Sequence, residues 1–109
     1  MAKSKFETYL QSVLTDGQIG LLRESLQDGR RVYFYGVEGT GKTILYRVLR
    51  ENGFVNVDEP GRYPNRGAFT LPNIPRGVVL MELYGLKKHL DVSEVLGFSR
   101  SDIDAWLMA

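Results

Sequence analysis

The chain has 109 residues, of which 43% are hydrophobic and 25% charged, and its formal net charge of +1 argues against a general affinity for nucleic acid. The length suits one globular domain, and the lack of cysteine excludes disulfides, thiolate metal sites and cysteine nucleophiles. Because neither a signal-peptide core nor a bilayer-length apolar stretch is present, we expect a cytoplasmic protein without a membrane partner.

Two amphipathic helices are predicted over residues 1–29. Ser4 and Glu7 have the spacing of a capping box, and apolar residues follow at helical intervals. Asp16 is predicted to cap the second helix, which should end at the Asp-Gly pair at 28–29 because glycine readily adopts the conformation that follows a helix. This segment is expected to pack on the rest of the domain.

The central segment, residues 30–85, is predicted to contain three strands and one helix. Residues 31–35 and 77–83 are rich in β-branched or apolar residues, and a shorter run at 54–57 predicts a further strand. An apolar stripe over 42–51 predicts the helix. We therefore predict a single-domain α/β fold: a small parallel sheet of about three strands flanked by helices, with helical N- and C-terminal segments.

A long connection without clear periodicity runs from Asp58 to Arg76. It contains all four prolines of the chain and three arginines, including Arg62 and Arg66. A connection of this length in a small domain is usually functional, mobile or a misread element. An arginine of this connection that reached a γ-phosphate, in the same chain or in a neighbouring copy, would stabilise phosphoryl transfer. The alternative for each of the three arginines is a side chain that only contacts solvent.

The C-terminal segment, residues 86–109, is predicted to be a helical hairpin. Residues 92–107 resemble a helix-turn-helix, which implies DNA binding through Arg100. The acidic side chains of Asp102 and Asp104 suit phosphate contacts poorly, and this favours a hairpin that covers one face of the sheet. The core residues expected from it are Leu96, Phe98, Ile103, Trp106 and Leu107.

A glycine-rich loop with the sequence GVEGTGKT lies between the first strand and the following helix. It matches the pattern G-x-x-x-x-G-K-[ST]. A loop at this position can wrap its backbone N–H groups around phosphates and direct the positive end of the helix at the same charge. This pattern resembles that of the P-loop NTPases. The predicted nucleotide-binding residues are Gly36, Val37, Glu38, Gly39, Thr40, Gly41, Lys42 and Thr43.

The resemblance implies Mg-ATP as the cofactor and assigns roles to individual residues. Lys42 would contact the β- and γ-phosphates as a catalytic residue, and the Thr43 hydroxyl would bind Mg²⁺. ATP is preferred over GTP because no N-K-x-D pattern is present. Nucleoside triphosphate binding is therefore expected at residues 36–43.

Two acidic residues are candidates for the metal-binding position called Walker B. Glu82 follows an apolar run at a suitable distance, and it could hold Mg²⁺ through water or act as a general base. Asp58 is the other candidate metal ligand, although acids at its position in small-molecule kinases of this superfamily commonly meet the acceptor substrate. The Asp-Glu pair usual in the family is missing at Glu82, so hydrolysis is expected to be slow.

A narrower resemblance covers Val32 to about Leu86. The stretches YFYGVEGTGKT and VVLMELYGL are similar to the core of superfamily 3 helicases and of viral replication initiator ATPases. Because only helices are predicted after Gly85, where those proteins have further strands, a ring helicase is not expected from this chain alone.

Three functions remain open on these residues. The leading hypothesis is an Mg-ATP-binding P-loop protein whose ATPase or phosphoryl-transfer activity is weak or depends on a protein partner or homo-oligomer. The second is a small phage or mobile-element protein that inhibits a host complex, as anti-CRISPR proteins do. The third is a DNA-binding adaptor acting through the C-terminal helices.

Overall fold

Helices and strands alternate along the central part of the chain, and helices form both ends. The computed structural model describes residues 4–36, 41–63, 73–83 and 91–109. The elements in chain order are α1 (Lys5–Gln11), α2 (Asp16–Gln27), β1 (Arg31–Tyr35), α3 (Lys42–Glu51), β2 (Val57–Asp58), β3 (Val78–Glu82), α4 (Val92–Leu96) and α5 (Arg100–Leu107). None of the helices in this described part is long and apolar enough to cross a bilayer.

The three strands form one parallel sheet with β1 at its centre, in the order β2-β1-β3. Val32 pairs with Val57 on one side and with Val79 on the other, and Tyr35 pairs with Glu82. The predicted α/β fold, a small three-stranded parallel sheet with flanking helices, is therefore confirmed.

The two faces of this sheet differ in chemistry because successive side chains of a strand point to opposite faces. One face carries Val32, Phe34, Val57 and Met81, which are buried in the same core as the helices. The other face, here called the open face, carries polar and aromatic side chains beside two partly exposed aliphatic ones. Its members are Arg31, Tyr33, Tyr35, Asp58, Val78, Leu80 and Glu82.

An aromatic cluster joins the two ends of the chain. The Phe6 ring of α1 lies 5.3 Å from the rings of both Phe98 and Trp106, measured between centroids, in edge-to-face arrangements. Helix α5 packs against α1, and α4 packs against α3. Ile103, Trp106 and Leu107 are buried as predicted, Phe98 packs partly buried against the core, and Leu96 is half-buried. The C-terminal helices thus extend the core over α1 and α3, whereas the sequence predicted a hairpin that covers one face of the sheet.

Of the two helix starts predicted in the N-terminal segment, the first is confirmed and the second is wrong. The Ser4 hydroxyl accepts a hydrogen bond from the Glu7 N–H, and Ser99 and Asp102 form a reciprocal capping box. Helix α2 is capped by Thr15 rather than by Asp16. Thr15 has the extended backbone that a cap requires, and Gln18 three residues later completes a box that Asp16, already helical, could not form.

The predicted strand at 54–57 is wrong in its position, since β2 contains only Val57 and Asp58. The Phe54 N–H donates to the Leu49 carbonyl at 3.0 Å and therefore belongs to the turn that ends α3. Parts of the predicted 58–76 connection and the start of the predicted C-terminal hairpin, at 64–72 and 84–90, lie outside the described residues.

Candidate nucleotide-binding site

Glycines stand at both ends of the phosphate loop, defined here as residues 36–43. Gly36 has φ +147° and Gly41 has φ +84°, backbone conformations that residues with a Cβ rarely adopt. The loop therefore requires glycine at these two of its predicted positions. Four further predicted nucleotide contacts lie outside the described residues: Val37, Glu38, Gly39 and Thr40.

Helix α3 begins differently from the other described helices. Side chains accept backbone N–H groups at the starts of α1, α2, α4 and α5, whereas no side chain of the described residues caps α3, which begins after Gly41. The first N–H groups of a helix have no partner within the helix, and they lie at the positive end of its dipole. The start of α3 is thus suited to an anion supplied from outside the helix.

Lys42 is the first residue of α3 and closes the loop. Its Nζ donates to the Gly36 carbonyl at 2.5 Å, which brings the two ends of the predicted motif together. A cation at a helix N-terminus opposes the dipole and costs about 0.3–1 kcal/mol. An anion bound between Lys42 and the helix would offset that cost. Thr43 follows and is exposed, so its hydroxyl can reach a ligand.

The sheet brings Glu82 to the same edge as the loop. Glu82 pairs with Tyr35, the residue immediately before Gly36. The order β2-β1-β3 begins the doubly wound arrangement in which ligands bind outside the carboxyl ends of the strands corresponding to β1 and β3. The structure therefore places Glu82 next to the strand that leads into the phosphate loop.

Glu82 is held by two side chains from different elements. Its carboxylate accepts a hydrogen bond from the Tyr35 hydroxyl at 3.2 Å, and its backbone carbonyl accepts one from Gln18 Nε2 at 2.8 Å. The Leu83 N–H donates to the Tyr35 carbonyl at 2.9 Å, which continues the pairing beyond the strand. The end of β3 is thus fixed while the Glu82 side chain stays exposed.

Asp58 lies on the opposite side of β1 and further from the loop. It pairs with Tyr33, two residues before the end of β1, which is roughly 7 Å along a strand. Both carboxylate oxygens accept from Arg31 at 3.0 Å, and the Tyr63 hydroxyl donates to Oδ2 at 3.0 Å. The hydrogen bond to Asp58 raises the pKa of Arg31. A metal ion at Asp58 would have to displace these donors.

The predicted metal ligands are distributed around the loop. Among the residues that the structure describes, no group of three His, Cys, Asp or Glu side chains could share a metal ion. Thr43 and Glu82 offer a hydroxyl and a carboxylate, which are donor types that Mg²⁺ accepts. A Mg²⁺ between them would complete its shell with phosphate oxygens and water, as this ion commonly does.

Arg100, the proposed DNA contact, is bound within the protein. Its Nε donates to Asp104 at 2.9 Å, its Nη1 donates to the Asn52 carbonyl at 2.7 Å, and its guanidinium lies 4.3 Å from the Phe54 ring centroid. A DNA phosphate would compete with these contacts. In this structure Arg100 joins α5 to the end of α3.

Sequence reasoning missed the partners of both acidic candidates. Tyr35 ends β1 and Glu82 ends β3, so aligning the ends of two parallel strands could have paired them. Gln18 gives no comparable signal, because 64 residues separate it from Glu82. The link from Arg31 to Asp58 likewise depends on which strands are neighbours.

No protein-family model, curated protein or solved structure matches this chain. Fold and site together define a small α/β protein in which a glycine- and lysine-containing loop joins the central parallel strand to a helix. Its function is therefore argued from its own residues.

Proposed function

We propose that this chain binds a nucleoside triphosphate, ATP in preference to GTP, together with Mg²⁺ at the phosphate loop. One observation carries the proposal: the sequence GVEGTGKT lies between the central parallel strand β1 and helix α3, which begins after a glycine and has no side-chain cap from the described residues. Backbone N–H groups, the helix dipole and the Lys42 ammonium would all act on one polyphosphate.

Each predicted residue has a chemical role in this proposal. Lys42 would move from the Gly36 carbonyl to the β- and γ-phosphates, where hydrogen bonds between two ionised groups replace one to a neutral carbonyl. Thr43 would bind Mg²⁺ through its hydroxyl, and Glu82 would bind the ion through water or accept a proton from the attacking nucleophile.

The proposed activity is a weak or partner-dependent ATP hydrolysis or phosphoryl transfer. Met81, a buried apolar residue, stands where an acid would complete the usual pair with Glu82. Arg31 and Arg62 form ion pairs with Asp58, with nitrogen–oxygen distances of 3.0 and 3.7 Å, so neither is free to reach a phosphate without leaving Asp58. An arginine from a second copy or another protein could stabilise the transferred phosphoryl group. We place this activity in the cytoplasm.

Isothermal titration with Mg-ATP tests the proposal. We expect Lys42→Ala to weaken binding by about tenfold or more, since it removes a charge-assisted contact worth roughly 1.5–3 kcal/mol. Arg47→Ala is the matched control: it removes an exposed cation from the same helix, paired only with Glu51 among the described acids, and should change the affinity less than about twofold.

Two results would contradict nucleotide binding at this loop. One is a wild-type chain that shows no heat of binding with Mg-ATP. The other is equal affinity in the wild-type, Lys42→Ala and Arg47→Ala proteins, which would place any bound nucleotide away from Lys42.

A further inference from the structure

We propose that Tyr35 is a positioning residue that holds the Glu82 carboxylate ready for the hydrated Mg²⁺ of the bound nucleotide. The inference rests on the proposed function and adds to it a residue outside the G-x-x-x-x-G-K-[ST] pattern. Tyr35 would contact neither nucleotide nor metal and would act through Glu82.

The contact between the two side chains follows from the sheet register. Tyr35 and Glu82 are direct partners on neighbouring parallel strands, and both point to the open face. The phenol hydroxyl donates to Glu82 Oε2 at 3.2 Å. A hydrogen bond to an ionised carboxylate is stronger than one between neutral groups, so it can select one orientation of an exposed side chain.

The backbone of Glu82 is fixed as well. Gln18 Nε2 donates to its carbonyl, while Gln18 Oε1 accepts the Thr15 N–H in the capping box of α2. Gln18 is therefore held at both ends of its amide group. With main chain and carboxylate both fixed before a metal arrives, less side-chain entropy is lost on binding.

The remaining carboxylate oxygen provides the metal-facing atom. Among the described residues, none donates a hydrogen bond to Glu82 Oε1. A water molecule bound to Mg²⁺ could donate to this oxygen while Tyr35 retains Oε2. Glu82 forms no ion pair with the described residues.

A second pair on the open face provides a contrast and a control. Tyr63 donates to the Asp58 carboxylate at 3.0 Å, much as Tyr35 donates to Glu82. Arg31 and Arg62 compensate the Asp58 charge. Of these two tyrosine-carboxylate pairs, the one at Glu82 has no arginine partner among the described residues, and it adjoins the phosphate loop.

The test measures how much Mg²⁺ strengthens ATP binding, by calorimetric titration with ATP in EDTA and again in excess Mg²⁺. We expect Tyr35→Phe to bind ATP in EDTA within about twofold of wild type and to lose roughly two- to fivefold of the Mg²⁺ enhancement, since the 3.2 Å contact is longer than a strong O–H···O⁻ bond. Glu82→Gln should lose at least as much. Tyr63→Phe, which removes the matching hydroxyl from Asp58, should keep the wild-type enhancement.

The double variant Tyr35→Phe/Glu82→Gln separates positioning from an independent contribution. If Tyr35 acts through Glu82, the double variant loses no more of the Mg²⁺ enhancement than Glu82→Gln alone. If the two residues act independently, the fold-losses of the single variants multiply. Glu82→Asp provides a second route should Tyr35→Phe fail to fold, because it keeps the charge but shortens the side chain away from Tyr35. It should lose the enhancement as Tyr35→Phe does.

Several outcomes would overturn the inference. These are full Mg²⁺ enhancement in Tyr35→Phe or Glu82→Asp, multiplied losses in the double variant, an equal loss in Tyr63→Phe, and a wild-type chain indifferent to Mg²⁺. Each leaves nucleotide binding at the loop standing if ATP binding in EDTA still depends on Lys42, although a wild-type chain indifferent to Mg²⁺ would remove the metal from the proposed function. Loss of that dependence would instead overturn nucleotide binding at the loop itself.

Discussion

Helices α3 and α5 begin in opposite ways. At the start of α5, Ser99 accepts the Asp102 N–H and Asp102 accepts the Ser99 N–H, so the helix satisfies part of its own end. Helix α3 begins at a glycine in the left-handed conformation, followed by a lysine that opposes the helix dipole. Both helices pack in the core, but α5 is closed by its own side chains, whereas no side chain of the described residues caps α3.

The far end of α3 shows that the open start is local to the loop. Asn52 donates to the Val48 and Phe98 carbonyls at 2.8 and 3.0 Å, and Arg100 donates to the Asn52 carbonyl. Side chains therefore tie the last turn of α3 to the segment around α5. The same helix is anchored at one end and left open at the other.

The largest effect in this comparison is expected at Gly41. Gly41→Ala should lower the free energy of unfolding by about 1–2 kcal/mol, because alanine is strained at φ +84°. Gly20→Ala, within α2, is the control and should raise it by about 0.5–1 kcal/mol through helix propensity. Urea unfolding measures both. If both substitutions changed the free energy of unfolding in the same direction, the left-handed start of α3 would not require glycine.

A smaller effect is expected at the cap of α5. Ser99→Ala should lower the free energy of unfolding by about 1 kcal/mol, because the Asp102 N–H loses its acceptor. Ser101→Ala removes the 2.9 Å hydroxyl contact with Ser99 but keeps that acceptor, so it should lower the urea midpoint less than Ser99→Ala does. A neutral Ser99→Ala would mean that the closed start of α5 contributes nothing to stability.

The smallest effect concerns pH. Hydrogen bonding from the Ser99 backbone lowers the pKa of Asp102 below its ordinary value. The folded state therefore binds this proton less readily than the unfolded state, so the stabilisation is present above the unfolded pKa and disappears as pH falls through the folded value. Urea midpoints at pH 7 and pH 3 should differ slightly less in Asp102→Asn than in wild type. If the two midpoints differed by the same amount in both proteins, Asp102 would not contribute to the loss of stability in acid.

Elements with strong local patterns were predicted closely from the sequence. Helix α3 has the predicted bounds of 42–51, and β3 lies within the predicted 77–83. Both signals depend on neighbouring residues, through helical periodicity and a continuous apolar run. The position of the phosphate loop between a strand and a helix was predictable for the same reason.

Features that depend on distant residues were missed. Phe54 and Val55 have the composition of a strand, yet the turn after α3 takes Phe54 against the core and leaves Val55 exposed. The strand propensity of a residue cannot predict this turn, because the propensity depends mainly on which side chains pack against the residue and these are not known from the local sequence. The contact between Tyr35 and Glu82 likewise requires the strand order and register.

The central position of β1 has a consequence for the order of folding. The contact between Arg31 and Asp58 closes a loop of 27 residues, and the contact between Tyr35 and Glu82 closes a loop of 47. Closing the longer loop costs roughly half a kcal/mol more in chain entropy. We expect β1, α3 and β2 to assemble before β3 docks. The chain would thus bring Gly36 and Lys42 together early and place Glu82 beside Tyr35 late, so that the two parts of the proposed site would form in separate steps.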